Sequence, residues 1–258
     1  MGAVPGEGGF LEDHFSGHAA AYAAHRPSYP PELVDRLADL APGRALAWDC
    51  GCGNGQLSVP LAERFARVIA SDASATQLIR ARRHPRVGYA RFLAERPGLA
   101  PATGARGFDL VVAAQAAHWF DLEAWFEPVR RVTRRGALVA LASYDRMRVD
   151  DRVDAVVERF YTGALAPYWP ERRRHVEDRY ASLPFPFQEL PAPELELRER
   201  WSMQQLADYV ETWSSARALE RAAGRGPIES FRRELREAWG RAPESEVRWP
   251  LALRLGRR

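Results

Sequence analysis

Apolar and polar positions fall into two kinds of block along this chain, and the alternation predicts strands separated by helices. Ala45 to Trp48 runs apolar into Asp49, and glycines then stand at Gly51, Gly53 and Gly55. That pattern predicts a buried strand that ends abruptly on a turn of residues lacking Cβ. Leu57, Leu61 and Phe65 follow at spacings of four, as on one face of a helix. Upstream, Leu33, Val34, Leu37 and Leu40 give Pro31–Leu40 an apolar helical face. Downstream, Arg67–Ser71 reads as a second strand ending at Asp72. Ser74 and Gln77 stand three apart, as in a capping box that starts the next helix. Arg86–Phe92 is a weaker third strand, and Phe108–Ala114 is a fourth. Asp121 can cap a helix on which Trp125, Val129 and Val132 share one side. Gly136 is expected to stop that helix, and Ala137–Ser143 is a fifth strand. Strands alternating with helices over about 100 residues imply a parallel, doubly wound α/β sheet.

From Tyr144 the pattern changes. Val149–Leu165 and Arg172–Leu183 read as helices, and Pro184–Phe187 as a bend. Glu194–Trp201 alternates like a half-buried strand. Gln204–Ser215 and Pro227–Trp239 read as helices, and Val247–Leu255 as a last strand. The aromatics of this half, Tyr161, Tyr168, Trp169, Trp201 and Trp213, can roof a cleft or complete a core. At the other end, Met1–Gly9 is glycine-rich and expected to be disordered. Phe15–Pro31, with Tyr22, Arg26, Tyr29 and three prolines, suggests a partly extended arm that closes over a site or tethers to the core. The expected organisation is an arm over 1–30 and a catalytic domain over 31–258, with 145–190 inserted as a helical cap.

At 258 residues and 46% apolar content the chain can bury one large core. No apolar run approaches the roughly 18 residues of a membrane span. Nor is there a secretory signal pattern, so the expected location is cytoplasmic, with no membrane partner. The net charge of +3 rests on arginine alone, since no lysine occurs. The basic balance thus reflects codon bias more than a nucleic-acid partner. Cys50 and Cys52, the two cysteines, cannot fill a tetrahedral zinc shell and lie too close in sequence for an unstrained disulfide. They are expected to be free thiols packed under a ligand. No histidine pair stands near them, and no metal is expected.

A strand, a glycine turn and a helix start make a nucleotide-binding corner. The spacing Asp49-x-Gly51-x-Gly53-x-Gly55 differs from the Gly-x-Gly-x-x-Gly of dinucleotide enzymes, which counts against a nicotinamide oxidoreductase. There is no Gly-Lys-Ser/Thr phosphate loop either. Asp72, at the carboxyl end of the next strand, can accept both hydroxyls of a bound ribose. His118 follows the fourth strand, and its titration range makes it a candidate general base.

The Asp49–Gly55 spacing resembles motif I of class I S-adenosylmethionine-dependent methyltransferases. Four stretches together resemble the type 11 methyltransferases, and within them a trans-aconitate-methyltransferase-like branch. They are Tyr22 to Pro30, Asp49 to Gln56, Ser71 to Ser74 and Gln115 to Asp121. The Thr212-Trp213-Ser214 and Arg248-Trp249-Pro250-Leu251 stretches fit the same branch. The resemblance implies a Rossmann-like seven-stranded sheet of order 3-2-1-4-5-7-6 with an antiparallel last strand and a helical cap after strand five. It implies S-adenosylmethionine as cofactor, held by Tyr22, Arg26, Asp49, Gly51, Gly53, Asn54, Gln56, Asp72, Ala73, Gln77, Ala94, Glu95 and Gln115. In it, Ala94 and Glu95 flank the adenine, and Tyr22 and Arg26 close over the carboxylate or the acceptor. His118, Trp119, Tyr144 and Trp169 are the expected acceptor-binding residues, with His118 also the candidate catalytic one. The expected activity is methylation of a small molecule, on oxygen and including carboxylates. Alternatives are an RNA or protein methyltransferase, for which no base-amine motif or RNA module is seen, and an idle cofactor-binding module.

Overall fold

A computed structural model describes residues 26–100 and 107–258 of the chain. Tyr22 and most of the expected arm lie outside the described residues.

The strands are β1 (Leu46–Cys50), β2 (Arg67–Asp72), β3 (Val87–Arg91), β4 (Phe108–Ala114), β5 (Thr133–Tyr144), β6 (Gln188–Leu190), β7 (Leu195–Trp201) and β8 (Ser245–Arg257). They form one mixed sheet in the order β3-β2-β1-β4-β5-β8-β6, with β7 also on β8. The first five pair in parallel, and β8 runs antiparallel to β5, β6 and β7. The final strand therefore lies between β5 and the preceding strands, as the expected order requires. An eighth strand arises because β6 and β7 share one edge of β8, β6 along Leu255–Arg257 and β7 along Ser245–Leu251.

The central strands read as continuous apolar runs because both faces are covered. Successive side chains point to opposite faces, so the runs split cleanly between two cores. Ala47, Leu110, Val112, Leu138 and Ala140 join one core with α1 (Pro31–Leu40) and α2 (Ser58–Ala62). Trp48, Val111, Ala113, Val139 and Leu141 join the other with Trp125, Phe126 and Val129 of α4 (Leu122–Val132). Buried Asp109 ties β4 to the entry of β1, accepting the Ala45 and Leu46 N–H groups at 2.7 and 3.0 Å and pairing with Arg134 at 2.8 Å.

Several helix boundaries are set by caps. Ser74 accepts the Gln77 N–H and starts α3 (Ala75–Ile79), and Asp121 accepts the Ala124 N–H and starts α4. Asp150 accepts two N–H groups, which places the start of α5 (Asp151–Thr162) two residues later than the periodicity suggested. Gly136 does not end α4. Strand β5 already begins at Thr133, and Gly136, at φ 77°, lies in an irregularity where Phe108 opposes Thr133 but Leu110 opposes Leu138.

The expected helix over 172–183 is also corrected: α6 spans only Arg174–Glu177. Arg179 and Tyr180 have φ of 60° and 64°, a left-handed backbone that no helix continues through. Likewise Gln204–Ser215 is not one helix. It breaks at Trp213, whose extended backbone separates α7 (Met203–Glu211) from α8 (Ser214–Ala223). Helix α9 (Gly226–Trp239) packs on α5, with Phe231 stacked on Phe160 at 4.4 Å and 16°. The helical layer beside the sheet thus draws on 203–239 as well as on 145–190.

Candidate active site

The carboxyl end of β1 carries the glycine turn, beside the point where the chain order reverses between β1 and β4. Gly51, Gly53 and Gly55 all have positive φ, at 71°, 55° and 82°. They are not equivalent. A Cβ on Gly51 would lie 2.5 Å from Ala116 Cβ, so Gly51 lets the turn pack under the loop after β4. A Cβ on Gly55 would meet the Tyr89 hydroxyl at 2.1 Å. A Cβ on Gly53 would meet nothing within 4 Å, which leaves an open backbone face there.

Asp72 anchors this turn from the neighbouring strand. Its Oδ2 accepts the Gly53 N–H at 2.8 Å and its Oδ1 accepts the Ser74 N–H at 2.8 Å. Each carboxylate oxygen has a second acceptor position, so the pin is compatible with holding a diol. Asp49 lies beneath the turn, 1% exposed, and accepts from Ser58 Oγ at 2.6 Å. Burial raises its pKa to about 7, against the Ser58 hydrogen bond and helped by repulsion from Asp72. Cys50 and Cys52 are free, buried thiols pushed up by burial. They pack as small groups, as expected from their spacing.

Asn54 is buried, and its carbonyl accepts the Arg82 N–H at 3.0 Å. Gln77 is also buried, and its Oε1 has no hydrogen-bond partner among the described residues. Ala73 offers its carbonyl to Arg91. Gln56 is half-buried in the glycine turn. Ala94 is buried, and Glu95 accepts the Asp121 N–H at 2.8 Å, joining the segment after β3 to the loop after β4. The open face at Gly53, the Asp72 carboxylate and the buried Gln77 acceptor together fit an adenosyl group.

A cleft of about 90 Å³ lies at the carboxyl ends of β4 and β5. It brings together Arg26, Gln115, His118, Trp119, Tyr144 and Trp169, which are scattered over more than half of the chain. Gln115 is a non-glycine residue at φ 53°, and its amide donates to the Tyr144 carbonyl at 2.6 Å. Arg26 donates to the Tyr144 hydroxyl at 3.4 Å and lies 5.5 Å from the Tyr209 ring. Tyr29 meets Tyr144 edge-on at 6.4 Å, which fixes the described end of the arm at the cleft rim.

Sequence reasoning did not single out Asp145, Tyr209 or Arg217 and named Thr212 and Ser214 only as part of a stretch that fits the family branch, and all five also line the cleft. Arg173 belongs to the Arg172–His175 group, which with Arg26 is the sequence's candidate for holding an anionic acceptor. It is built in on every side: paired with Asp145, bonded to the Tyr161 hydroxyl at 3.0 Å, and 5.0 Å from the Trp169 ring. Asp145 also pairs with Arg146. Tyr161 donates to Glu177, and its hydroxyl stays protonated because burial pushes it far up. Among the described residues, three arginines and one carboxylate thus line the cleft.

His118 Nδ1 lies 2.7 Å from the Tyr180 hydroxyl. Burial, with Arg173, His175, Arg172 and Arg26 nearby, lowers its pKa to about 3, so the ring is neutral. Arg172 does not point into the cleft as an anion clamp but donates to the Trp119 carbonyl at 2.8 Å, and His175 bonds to Ser182. Among the described residues, no group of His, Cys, Asp and Glu is disposed to hold a metal, and no helix is long and apolar enough to cross a membrane.

This geometry agrees with what the chain is similar to. A family described as "Methyltransferase domain" matches residues 48–141, from β1 through most of β5. "Uncharacterized methyltransferase Rv3342" of Mycobacterium tuberculosis is 32% identical over 198 residues, covering 76% of this chain and 74% of the relative. A Dictyostelium discoideum protein named "Putative methyltransferase DDB_G0268948" is 28% identical over 235 residues, covering 89% and 87%. A solved structure from Anaeromyxobacter dehalogenans, described as a "Putative Type II Methyltransferase", is 48% identical with a TM-score of 0.83, covering 90% of this chain and 97% of that one. The glycine turn, the acid on β2 and the inserted final strand carry the same conclusion as these relatives: the chain belongs to the type 11 family of class I methyltransferases, which use S-adenosylmethionine.

Proposed function

We propose that this methyltransferase transfers its methyl group to a carboxylate oxygen of a small organic acid, as the trans-aconitate-like resemblance suggests. The observation that carries the reading is the charge around the cleft. Among the described residues, Arg26, Arg173 and Arg217 line it with Asp145 as the one carboxylate, and Asp145 is paired with Arg146 and Arg173. A carboxylate is ionised at neutral pH and is a nucleophile without a base. What it needs is a guanidinium clamp and alignment.

The residues divide the work by position. Gly51 to Gly55, Asp72, Gln77 and the Ala94–Glu95 segment would hold the cofactor, with Asp72 on the ribose and Asp49 beneath its methionine end. Bound there, S-adenosylmethionine supplies a methyl group on a sulfonium, already activated for in-line displacement. Gln115, fixed by the Tyr144 carbonyl, supports the boundary between this crevice and the cleft. Arg173, gripped by Asp145 and Tyr161, orients the acid. Trp169, Trp213 and Tyr209 form apolar wall that excludes water. Arg26 and Tyr29, with the helical layer of α5 to α9, act as the cover.

The test is incubation with methyl-labelled S-adenosylmethionine and a panel of di- and tricarboxylic acids, phenols, alcohols and RNA. Label in base-labile methyl esters is expected. Label only in ethers or in RNA, or no transfer despite cofactor binding, would refute the carboxylate reading.

A further inference from the structure

Tyr180 has no part in the chemistry described so far, yet much of the neighbouring structure serves to hold it. Its ring is wholly buried, while its backbone and that of Arg179 are left-handed, a region that side-chain-bearing residues rarely adopt. The conformation is held from three sides. The Tyr180 N–H donates to the His175 carbonyl at 2.7 Å. Arg254, on β8, donates to the carbonyls of Tyr180 and Leu183 at 3.0 and 2.6 Å. Arg179 reaches back to the Leu251 carbonyl at 3.4 Å. Strained backbone kept this firmly in place is a pointer to a positioned side chain.

What it positions is a phenol at 2.7 Å from His118 Nδ1. A phenol has one proton to give. The hydroxyl belongs to a wholly buried side chain, and among the described residues its partner within hydrogen-bond reach is His118 Nδ1. The hydroxyl proton must then go to an acceptor, and His118 Nδ1 is the acceptor in reach. His118 lines the cleft whereas Tyr180 does not, so the opposite edge of the imidazole, with Nε2, is the one presented to the cleft.

We propose that Tyr180 is a positioning residue: its hydroxyl donates to Nδ1 of His118, fixes the Nε2–H tautomer, and makes His118 a hydrogen-bond donor to the methyl acceptor. The inference deepens the carboxylate reading and rests on it for the identity of the acceptor. Among the described residues it leaves the cleft with donors in place of a base, since Asp145, the one carboxylate of these lining it, is held between Arg146 and Arg173. An acceptor must then arrive ionised.

The decisive measurement is long-range proton–nitrogen NMR on the full chain, labelled at histidine and free of ligands, with His118 assigned by its absence in His118→Gln. The expected spectrum has Nδ1 unprotonated and Nε2 protonated, unchanged across neutral pH. In Tyr180→Phe the two tautomers should mix. The acceptor KM should rise about tenfold, as for one lost hydrogen bond, with S-adenosylhomocysteine Kd within about twofold of wild type. His118→Gln, which keeps an N–H near the Nε2 position, should retain most acceptor affinity, and His118→Leu should lose about tenfold. An Nδ1–H or cationic His118 in the wild type, an unchanged tautomer in Tyr180→Phe, or equal KM values for the Gln and Leu variants would overturn the proposal. If Tyr180→Phe does not fold, the wild-type spectrum and the His118 pair still decide. The tautomer is read without any acceptor, so wild-type protein that esterifies no acid would sink the carboxylate reading and leave the Tyr180–His118 assignment standing.

Discussion

Asp72 holds the Gly53 N–H at 2.8 Å, so the carboxylate proposed to hold the ribose is also the pin of the glycine turn. Asp72→Ala should therefore weaken S-adenosylhomocysteine binding by at least about tenfold, because charge-assisted hydrogen bonds and the turn geometry are lost together. Titration calorimetry measures it. Affinity equal to wild type would remove Asp72 from the cofactor site.

Two glycines of the same turn should fail in different ways. Gly51→Ala drives a Cβ to 2.5 Å from Ala116 Cβ in a left-handed backbone, and should cost on the order of 2 kcal/mol in urea unfolding. Gly53→Ala meets no neighbour and should cost only about 1 kcal/mol, yet lose most cofactor affinity because the methyl group stands on the open face. Similar behaviour of the two variants in both assays would show that the open face is not where the cofactor lies.

Asp49 should give stability a pH slope. Its folded pKa is raised to about 7 from 3.8, so between those values the native state holds a proton that the unfolded chain has released. Stability from this group is present below about pH 4 and is lost as pH rises through about 7, by a few kcal/mol at most. Asp49→Asn, neutral at every pH, should flatten the decline in Tm between pH 5 and 8. A wild-type slope that persists in Asp49→Asn would place its origin elsewhere.

Arg173→Lys should raise the acceptor KM about tenfold or more and leave cofactor affinity unchanged. Lysine keeps the charge but cannot serve Asp145, the Tyr161 hydroxyl and an acid at once from a planar fork. Steady-state kinetics with the responsive acid checks it. An unaltered KM would mean that the guanidinium is a structural tie of the roof.

The sheet half was readable because its signals are local. Phe108 to Ala113 is apolar at nearly every position since β4 is buried on both faces, and Asp72 is the last residue of its own strand. The glycine turn declared its dihedrals through residue type. The acceptor side had no such signal. Asp145, Tyr209 and Arg217 converge only after the helical layer folds back, and each alone resembles an ordinary surface or core residue. The left-handed turn at Arg179–Tyr180 was invisible because neither residue is glycine. Gly136 misled for the converse reason: its positive φ serves an irregularity in β5 and not a helix end.

The placement of β8 has a consequence for how the molecule is assembled. Until about a hundred intervening residues have been gathered in, β5 presents an unpaired ladder along Leu138–Tyr144, and closing so long a loop is slow. During that interval the nucleotide corner can already exist, while Arg254 has yet to lock the Tyr180 turn. An early folding species would thus be able to bind cofactor before it could recognise an acid, with a sticky strand edge that invites self-association.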